Sequence, residues 1–412
     1  MSVLEPLRAD AAYVFHYPRK FLWDKPATPA QEWRDMDVYL HVPFCRAICT
    51  YCTFERRVHS KAGMEAFVSG LKQEVALRAD RDDFSQARLR SIYMGGGTAS
   101  LLRNDVIEWF LEAVREIVPR SVGDVECTLE CEPTNKRRAD YSRLREAGVN
   151  RVSIGAQTFV DPILKALNRA HSADQTIRTV EEAQAAGIPT VHLDLMYGLP
   201  GQTVDQWYSD LRIAASLGVS HISAYQLIVF EKETLDRSLL EDPQTRLPSR
   251  EQLHEMRQAS EEIIGGAGFE RYSLTEWGRD GARCTYVVGN WTGRDYLGFG
   301  PAAYSRNGRW LWENDVLLTR YGKRLATGEL PVRAVEMTRE QEAARDLAMG
   351  LCLFRVELDD IDARLGAPSA DAFAPMIARL ADQELLWVEG RTIGLTDKGR
   401  VYATHAMHTF LT

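Results

Sequence analysis

The 412 residues exceed what one small domain uses and fall short of three large ones, and a single α/β barrel can absorb most of them. Hydrophobic residues at 45% and charged residues at 26% exclude a disordered or fibrous chain. The net charge of −8 disfavours a nucleic-acid backbone as partner.

From Asp37 the sequence alternates short β-type runs with longer helical ones. DVYLHV (Asp37 to Val42) reads as the first strand, after which Met64, Phe67, Val68, Leu71 and Val75 recur at helical spacing. SIYM (Ser91 to Met94) is the second strand, and Val106, Ile107, Phe110, Leu111 and Val114 mark the helix behind it. VECTLE (Val125 to Glu130), a helix through Leu144, RVSIGA (Arg151 to Ala156) and helical stretches to Ala186 follow. TVHLDLMY (Thr190 to Tyr197) is the fifth strand. Thr203 and Gln206 make a capping-box pattern that opens a helix with Val204, Trp207, Tyr208 and Leu211 on one face. HISAYQL (His221 to Leu227) is the sixth strand.

Such strand–helix repeats with right-handed crossovers predict a parallel sheet, either open and doubly wound or a partial barrel. In both, function belongs at the carboxyl ends of the strands. There the sequence places three cysteines after the first strand, three glycines after the second, and polar residues ending the third to sixth.

After about Leu239, EDPQTRLPSR reads as a connection. A helix near Glu251 to Ile264 and mixed strand–loop sequence to about Leu325 come next. Thr338 to Leu353 is a capped helix and Ala372 to Leu380 another; LLWVEGRTIGLT is a hairpin, and a terminal helix runs through Phe410. Helix, helix, hairpin and helix suggest a small winged-helix-like domain.

No apolar run approaches the roughly 18 to 20 residues of a membrane span. The start MSVLEPLRADAAY lacks a basic-then-apolar leader, so the expectation is a cytoplasmic protein without a membrane partner. Seven cysteines, an odd number, do not read as a disulfide framework. Cys45, Cys49 and Cys52 form C-x3-C-x2-C in HVPFCRAICTYCTF. Three thiolates from one short loop can ligate three irons of a cubane cluster and leave the fourth iron open. A structural zinc site would want a fourth Cys or His at matching spacing, and none follows nearby. Cys127 and Cys131, four apart on one strand, point to the same side and suit core or pocket lining; Cys284 and Cys352 suit the core.

These motifs, in order, resemble the radical S-adenosylmethionine (SAM) enzymes. Within them the likeness is to the group of the oxygen-independent coproporphyrinogen III dehydrogenase (HemN) and the haem chaperone (HemW). The likeness rests on YLHVPFC, the cysteine triplet, MGGGTASLL, TLECEPTN, RVSIGAQTF, LNRAH, HLDLMYGLPGQT, HISAYQL, DYLGFGPAAYS and LTDKGR. It implies a partial (β/α)6 barrel of TIM type with a smaller C-terminal winged-helix-like domain. The expected divisions are an extension (1–36), the radical SAM core (37–240), a barrel extension (241–330) and the C-terminal domain (331–412).

By resemblance, Cys45, Cys49 and Cys52 hold a 4Fe–4S cluster whose open iron takes SAM's amino and carboxylate groups, and a reductant such as flavodoxin or ferredoxin feeds it. Gly95, Gly96, Gly97 and Thr98 match the glycine motif on SAM's methionine portion. Glu130, Gln157, Arg169 and Asp194 match SAM-contacting positions, and Tyr39 and Tyr51 suit ring walls around cluster and SAM. Two group signatures are missing. No Cys follows Cys52 two residues on, where Thr53 and Phe54 stand, and Tyr286 occupies the place of the histidine implicated in haem binding by the chaperones, although Trp291 is retained. The resemblance then implies the branch of HemN-like methyltransferases and cyclopropanases. That branch implies a second SAM molecule near Tyr225, Gln226 and Tyr296, methyl or methylene transfer to an sp² carbon of a small natural-product substrate, and a partner methyltransferase for ring closure. A haem chaperone and a porphyrinogen-modifying enzyme are the alternatives.

Overall fold

The computed structural model describes residues 17–18, 22–26, 28–133, 139–228 and 246–411. Most of the expected N-terminal extension, and the first half of the connection EDPQTRLPSR, lie outside them.

The first half alternates as β1 (Asp35–Val42), α1 (Lys61–Arg81), β2 (Arg88–Gly96), α2 (Asn104–Ile117), β3 (Ser121–Cys131), α3 (Tyr141–Glu146) and β4 (Arg151–Gln157). Then come α4 (Asp161–Ala166), α5 (Ala173–Ala185), β5 (Thr190–Tyr197), α6 (Val204–Ser216) and β6 (His221–Gln226). The chain continues with α7 (Arg250–Gly266), β7 (Glu270–Arg271), β8 (Glu276–Gly278) and α8 (Thr285–Trp291). β9 (Asp295–Phe299), β10 (Tyr304–Asn307), β11 (Trp310–Asn314), α9 (Leu318–Ala326) and β12 (Val332–Glu336) complete the sheet region.

All these strands join one sheet in the order β12-β11-β10-β9-β1-β2-β3-β4-β5-β6-β8-β7. It is parallel from β9 through β6 and antiparallel beyond either end. The fold is therefore an α/β partial barrel. Capping sets the helix starts: Ser172 with Gln175 opens α5, and Thr203 with Gln206 opens α6.

Side chains alternate along each strand, so one face packs on helices and the other looks inward. Val38, Leu40, Ile92, Met94, Cys127, Leu129, Cys131, Val152, Ile154, Leu193 and Ile222 all join the main apolar core. The intervening positions are Tyr39, Tyr93, Glu130, Arg151, Ser153, His192, Asp194, His221, Ser223 and Tyr225. Barrels of this type ordinarily fill their interior with branched apolar residues; here the interior is polar, which is what a ligand-binding lumen requires.

The C-terminal part has its own core, around Leu347, Leu351, Ile361, Leu380, Ile393 and Met407. It comprises α10 (Arg339–Gly350), β13 (Arg355–Glu357), α11 (Leu358–Leu365), α12 (Ala374–Asp382), β14 (Leu386–Glu389), β15 (Thr392–Leu395), α13 (Asp397–Val401) and α14 (Ala403–Phe410). The three strands form an antiparallel sheet in the order β13-β15-β14. It is fastened to the barrel through Arg306 of β10, whose guanidinium donates to both carboxylate oxygens of Asp346 at 2.6 and 3.0 Å and to Glu342 at 3.1 Å.

Several elements differ from the sequence expectation. The stretch to Leu325 holds two helices, α8 and α9, where strand and loop are expected. α10 ends at Gly350, with a 3-10 turn over Leu351–Leu353, and the terminal helix is two pieces parted at Tyr402. Helix α11 escapes the pattern altogether: its LDDIDARL places only Leu358, Ile361 and Leu365 on the buried side.

Candidate functional site

The cysteine loop leaves β1 through Pro43 and is pinned on both flanks. Arg57 N–H donates to the Pro43 carbonyl at 2.8 Å and His59 N–H to that of Cys45 at 2.9 Å. Across the barrel mouth, Asn168 donates to the Ile48 carbonyl at 2.8 Å and Thr50 N–H to that of Leu167 at 3.3 Å. Cys45, Cys49 and Cys52 are half-buried and free. Burial pushes the Cys45 thiol up to about 12, against the Thr98 hydroxyl facing it, which favours the thiolate. Cys127 and Cys131 lie on the helix-packed face, so they are core residues and not pocket lining.

Arg169 ties this loop to β4. One guanidinium nitrogen stands 3.4 Å from Cys49 Sγ, and the other donates to the Gly155 carbonyl at 2.6 Å. Tyr51 packs beside Tyr225 in a small apolar cluster with Ile163, Leu167 and Met196. Tyr225 donates to Gln157 Oε1 at 2.9 Å, and Gln157 ends β4 in the left-handed region at φ 68°. Gln226 does not share this face. As the next strand residue it projects to the other side, its Cγ 3.6 Å from where a side chain on Gly198 would begin, beside Leu253 of α7.

The three glycines serve protein packing as well as any ligand. A Cβ on Gly95 would stand 2.6 Å from the Glu130 carboxyl carbon, one on Gly96 (φ 107°) 2.6 Å from the His41 ring, and one on Gly97 2.6 Å from the Phe44 carbonyl oxygen. Glu130 is consequently held tightly: Tyr93 donates to Oε1 at 2.8 Å and Gly96 N–H to Oε2 at 3.1 Å. Burial pushes Glu130 up to about 7, aided by the negative charge of Asp194 and opposed by those two hydrogen bonds. Tyr39 donates to His41 Nδ1 at 3.0 Å, because His41 Nε2 must carry the hydrogen it gives to the Glu55 carbonyl at 2.9 Å.

Two groups lay beyond the motifs. Tyr286 of α8 stacks on Tyr93 (4.8 Å between ring centroids) and on Tyr39 (5.8 Å), with Tyr296 set edge-on at 6.3 Å. Glu276 of β8 accepts from Ser223 at 2.6 Å and is held up at about 7 by burial. Both come from the segment read as strand and loop. The register Glu276 to Ser223 is a long-range antiparallel pairing that no local pattern announces.

The cysteine loop fits a cluster on two counts. Its donors are three half-buried thiols with no disulfide partner among the described residues. Around them, Arg46 Nε and Nη2, Thr50 Oγ1, Glu132 Oε2 and Arg169 Nε are buried without a hydrogen-bond partner among the described residues. Orphaned donors and acceptors of this kind mark a place built for further polar groups.

Comparison with known proteins decides the family. Residues 39–214 match the radical SAM superfamily, and residues 337–402 match the HemN C-terminal domain. The haem chaperone HemW of Mycobacterium tuberculosis (strain H37Rv) is 31% identical over 382 residues, which cover 91% of this chain and 94% of that protein. The chain belongs to the HemN/HemW-like group of radical SAM proteins. The haem chaperone HemW of Bacillus subtilis is 28% identical over 90% of this chain and 98% of its own length. In fold, the solved structure of coproporphyrinogen III oxidase (HemN) from Escherichia coli superposes with a TM-score of 0.79, at 24% identity, over 92% of this chain and 91% of its own.

Proteins of this family use a 4Fe–4S cluster and SAM, and they need a reductant. The expectation of methyl or methylene transfer to a natural product, with cyclopropane formation and a partner methyltransferase, is overturned. The curated relatives that match across nine-tenths of the chain include haem chaperones and an anaerobilin synthase of Escherichia coli O157:H7 (28% identical over 92% of this chain and 87% of its own length). The single expected difference at Tyr286 weighs less than similarity over nine-tenths of the chain. A second SAM molecule is implied only by the overturned reaction. Among the described residues no helix is long and apolar enough to cross a membrane.

Proposed function

We propose that this protein is a haem-binding radical SAM protein of the haem-chaperone type. The observation that carries the reading is its 31% identity to a haem chaperone over 94% of that protein's length. Cys45, Cys49 and Cys52 are assigned as ligands of the 4Fe–4S cluster, with SAM at the open iron. When bound, that pair supplies one-electron reductive cleavage of a sulfonium.

The chain's own contribution is positioning and charge. Arg169 holds a cation against Cys49 and anchors the loop to β4. Glu130 and Asp194 present carboxylates to the interior, where a cationic ligand is favoured. The Tyr39, Tyr93 and Tyr286 rings wall the lumen and narrow the space open to water. Tyr286 lies inside that stack and its hydroxyl meets Asn290, so haem is assigned to a surface outside the barrel, with a ligand other than residue 286.

Titrating haem into anaerobically reconstituted protein tests the reading. It expects saturable, stoichiometric binding, followed by transfer of haem to an apo-acceptor without chemical change in the macrocycle. Absence of haem binding, with and without the cluster, would overturn it.

A further inference from the structure

Beneath the expected SAM-contacting Asp194 lies a hydrogen-bond chain whose direction can be read atom by atom. Arg151, 2% exposed, can only donate, and its Nη2 stands 2.7 Å from His192 Nδ1. His192 Nδ1 therefore accepts, and the ring carries its hydrogen on Nε2, which lies 2.6 Å from Ser223 Oγ. With Ser223 oxygen accepting there, its own hydrogen goes to Glu276 Oε2 at 2.6 Å. Burial, His221 and the Arg151 charge hold His192 well below the usual histidine range, so the ring is the neutral tautomer this chain requires.

His192, His221 and Glu276 do bring ligand-type atoms within 4.8 Å of one another. With Arg151 donating to Nδ1 of His192 at 2.7 Å, that ring carries its hydrogen on Nε2 and offers no lone pair there, and His221 Nε2 is engaged with the Tyr272 hydroxyl at 2.8 Å. The cluster is a proton-ordered hub and not a cation site.

Its consequence falls on Asp194. Ser223 stands between two carboxylates, in bonding reach of Asp194 as well as Glu276, with one hydrogen to give. Asp194 takes a hydrogen bond from Ser153 on Oδ2 at 2.7 Å, whereas its Oδ1 lies 3.3 Å from His192 Nε2. We propose that Glu276 is a positioning residue: by holding the Ser223 hydrogen it keeps one oxygen of Asp194 open to the lumen for a donor group of SAM. This rests on the assignment of Asp194 to SAM. Without the Glu276 acceptor, Ser223 turns to Asp194 and fills the ligand's place.

Equilibrium dialysis of SAM against anaerobically reconstituted full-length protein tests it, comparing wild type with Glu276→Gln and Glu276→Met. Gln keeps a carbonyl acceptor for Ser223, and Met matches its length but has none. Met should weaken SAM binding about tenfold, the loss of one hydrogen bond to a charged group, while Gln stays within about threefold. Near-UV circular dichroism checks that each variant is folded, and Glu276→Leu replaces Met if Met is not. Equal affinities for Gln and the apolar variant, whether both retained or both lost, would overturn the proposal. Wild-type protein that takes up iron and sulfide yet binds no SAM would overturn the functional reading itself, and the proposal with it.

Discussion

Tyr286 lies against Tyr93 with ring centroids 4.8 Å apart and planes inclined by 29°, so the residue that the resemblance sets at the place of a haem-binding histidine is part of the barrel's inner wall. Offset stacking of this kind adds about 0.5–1.5 kcal/mol to the burial of the ring itself. Tyr286→Ala should therefore cost about 2–4 kcal/mol in urea unfolding, and Tyr286→Phe less than about 1 kcal/mol. In haem titrations Tyr286→Phe should match wild type. A lost or shifted haem band in that variant would make the phenol a haem ligand and contradict the packing role.

Gly97 joins β2 to the cysteine loop by close backbone approach. A methyl group there would stand 2.6 Å from the Phe44 carbonyl oxygen and 2.9 Å from its nitrogen, both backbone atoms that can give way only by moving Cys45. Gly97→Ala should cost about 2 kcal/mol or more and lower the iron retained after reconstitution. Gly123→Ala is the control, since its positive φ of 63° is strained but nothing lies within 4 Å. That variant should lose about 1–2 kcal/mol and keep its iron.

Asp346 is the keystone between barrel and C-terminal domain, receiving Arg306 at 2.6 Å and Arg364 at 2.7 Å. Its carboxyl is held down at about 2 by those guanidinium groups against the cost of burial. A depressed carboxyl stabilises the fold above its unfolded value of 3.8, and the contribution is lost as pH falls through about 2. Asp346→Asn leaves Arg306 buried and short of charge, and should cost about 3–5 kcal/mol at neutral pH. Thermal unfolding should show that gap narrowing below about pH 3.

Glu130 works in the opposite sense. Its folded value of about 7 lies above the ordinary 4.5, so the folded state binds the proton more tightly and stability falls as pH rises from 4.5 through about 7. Glu130→Gln removes this penalty. At pH 8 the variant should be more stable than wild type by on the order of 2 kcal/mol, with the advantage gone near pH 4. The same variant should bind SAM more weakly. Equal stability at both pH values would show that the carboxyl is not strained by burial.

Most of the barrel was legible because its signal is local. Each of the six strands carries an apolar alternation bounded by turn residues, and Thr203 with Gln206 marks a helix start that the structure also has. The cysteine loop was legible from three thiols in eight residues. What escaped depends on partners far along the chain. Glu276 has no meaning until β8 pairs with β6, 53 residues away. Tyr286 reads only as a lost haem-ligand position until α8 lays it on Tyr39 of β1 and Tyr93 of β2. Gln226 was misplaced for a simpler reason: a strand turns consecutive side chains to opposite faces, so it could not share the lumen with Tyr225. The chemistry beyond the shared core was the least legible, because methylene transfer was inferred from two missing signatures. The family's reach over the whole chain carries more weight than either.

Cys45, Cys49 and Cys52 are assigned together as ligands of a cubane cluster with one iron left for SAM. Iron and sulfide analysis of anaerobically reconstituted protein, with electron paramagnetic resonance of the reduced form before and after SAM, tests that assignment most directly. The expected result is about four irons per chain and a spectrum that changes when SAM is added. The cluster should be lost when any one of the three cysteines becomes alanine, with Cys127→Ala unaffected. A cluster that survives in all three single variants, or a spectrum indifferent to SAM, would contradict it.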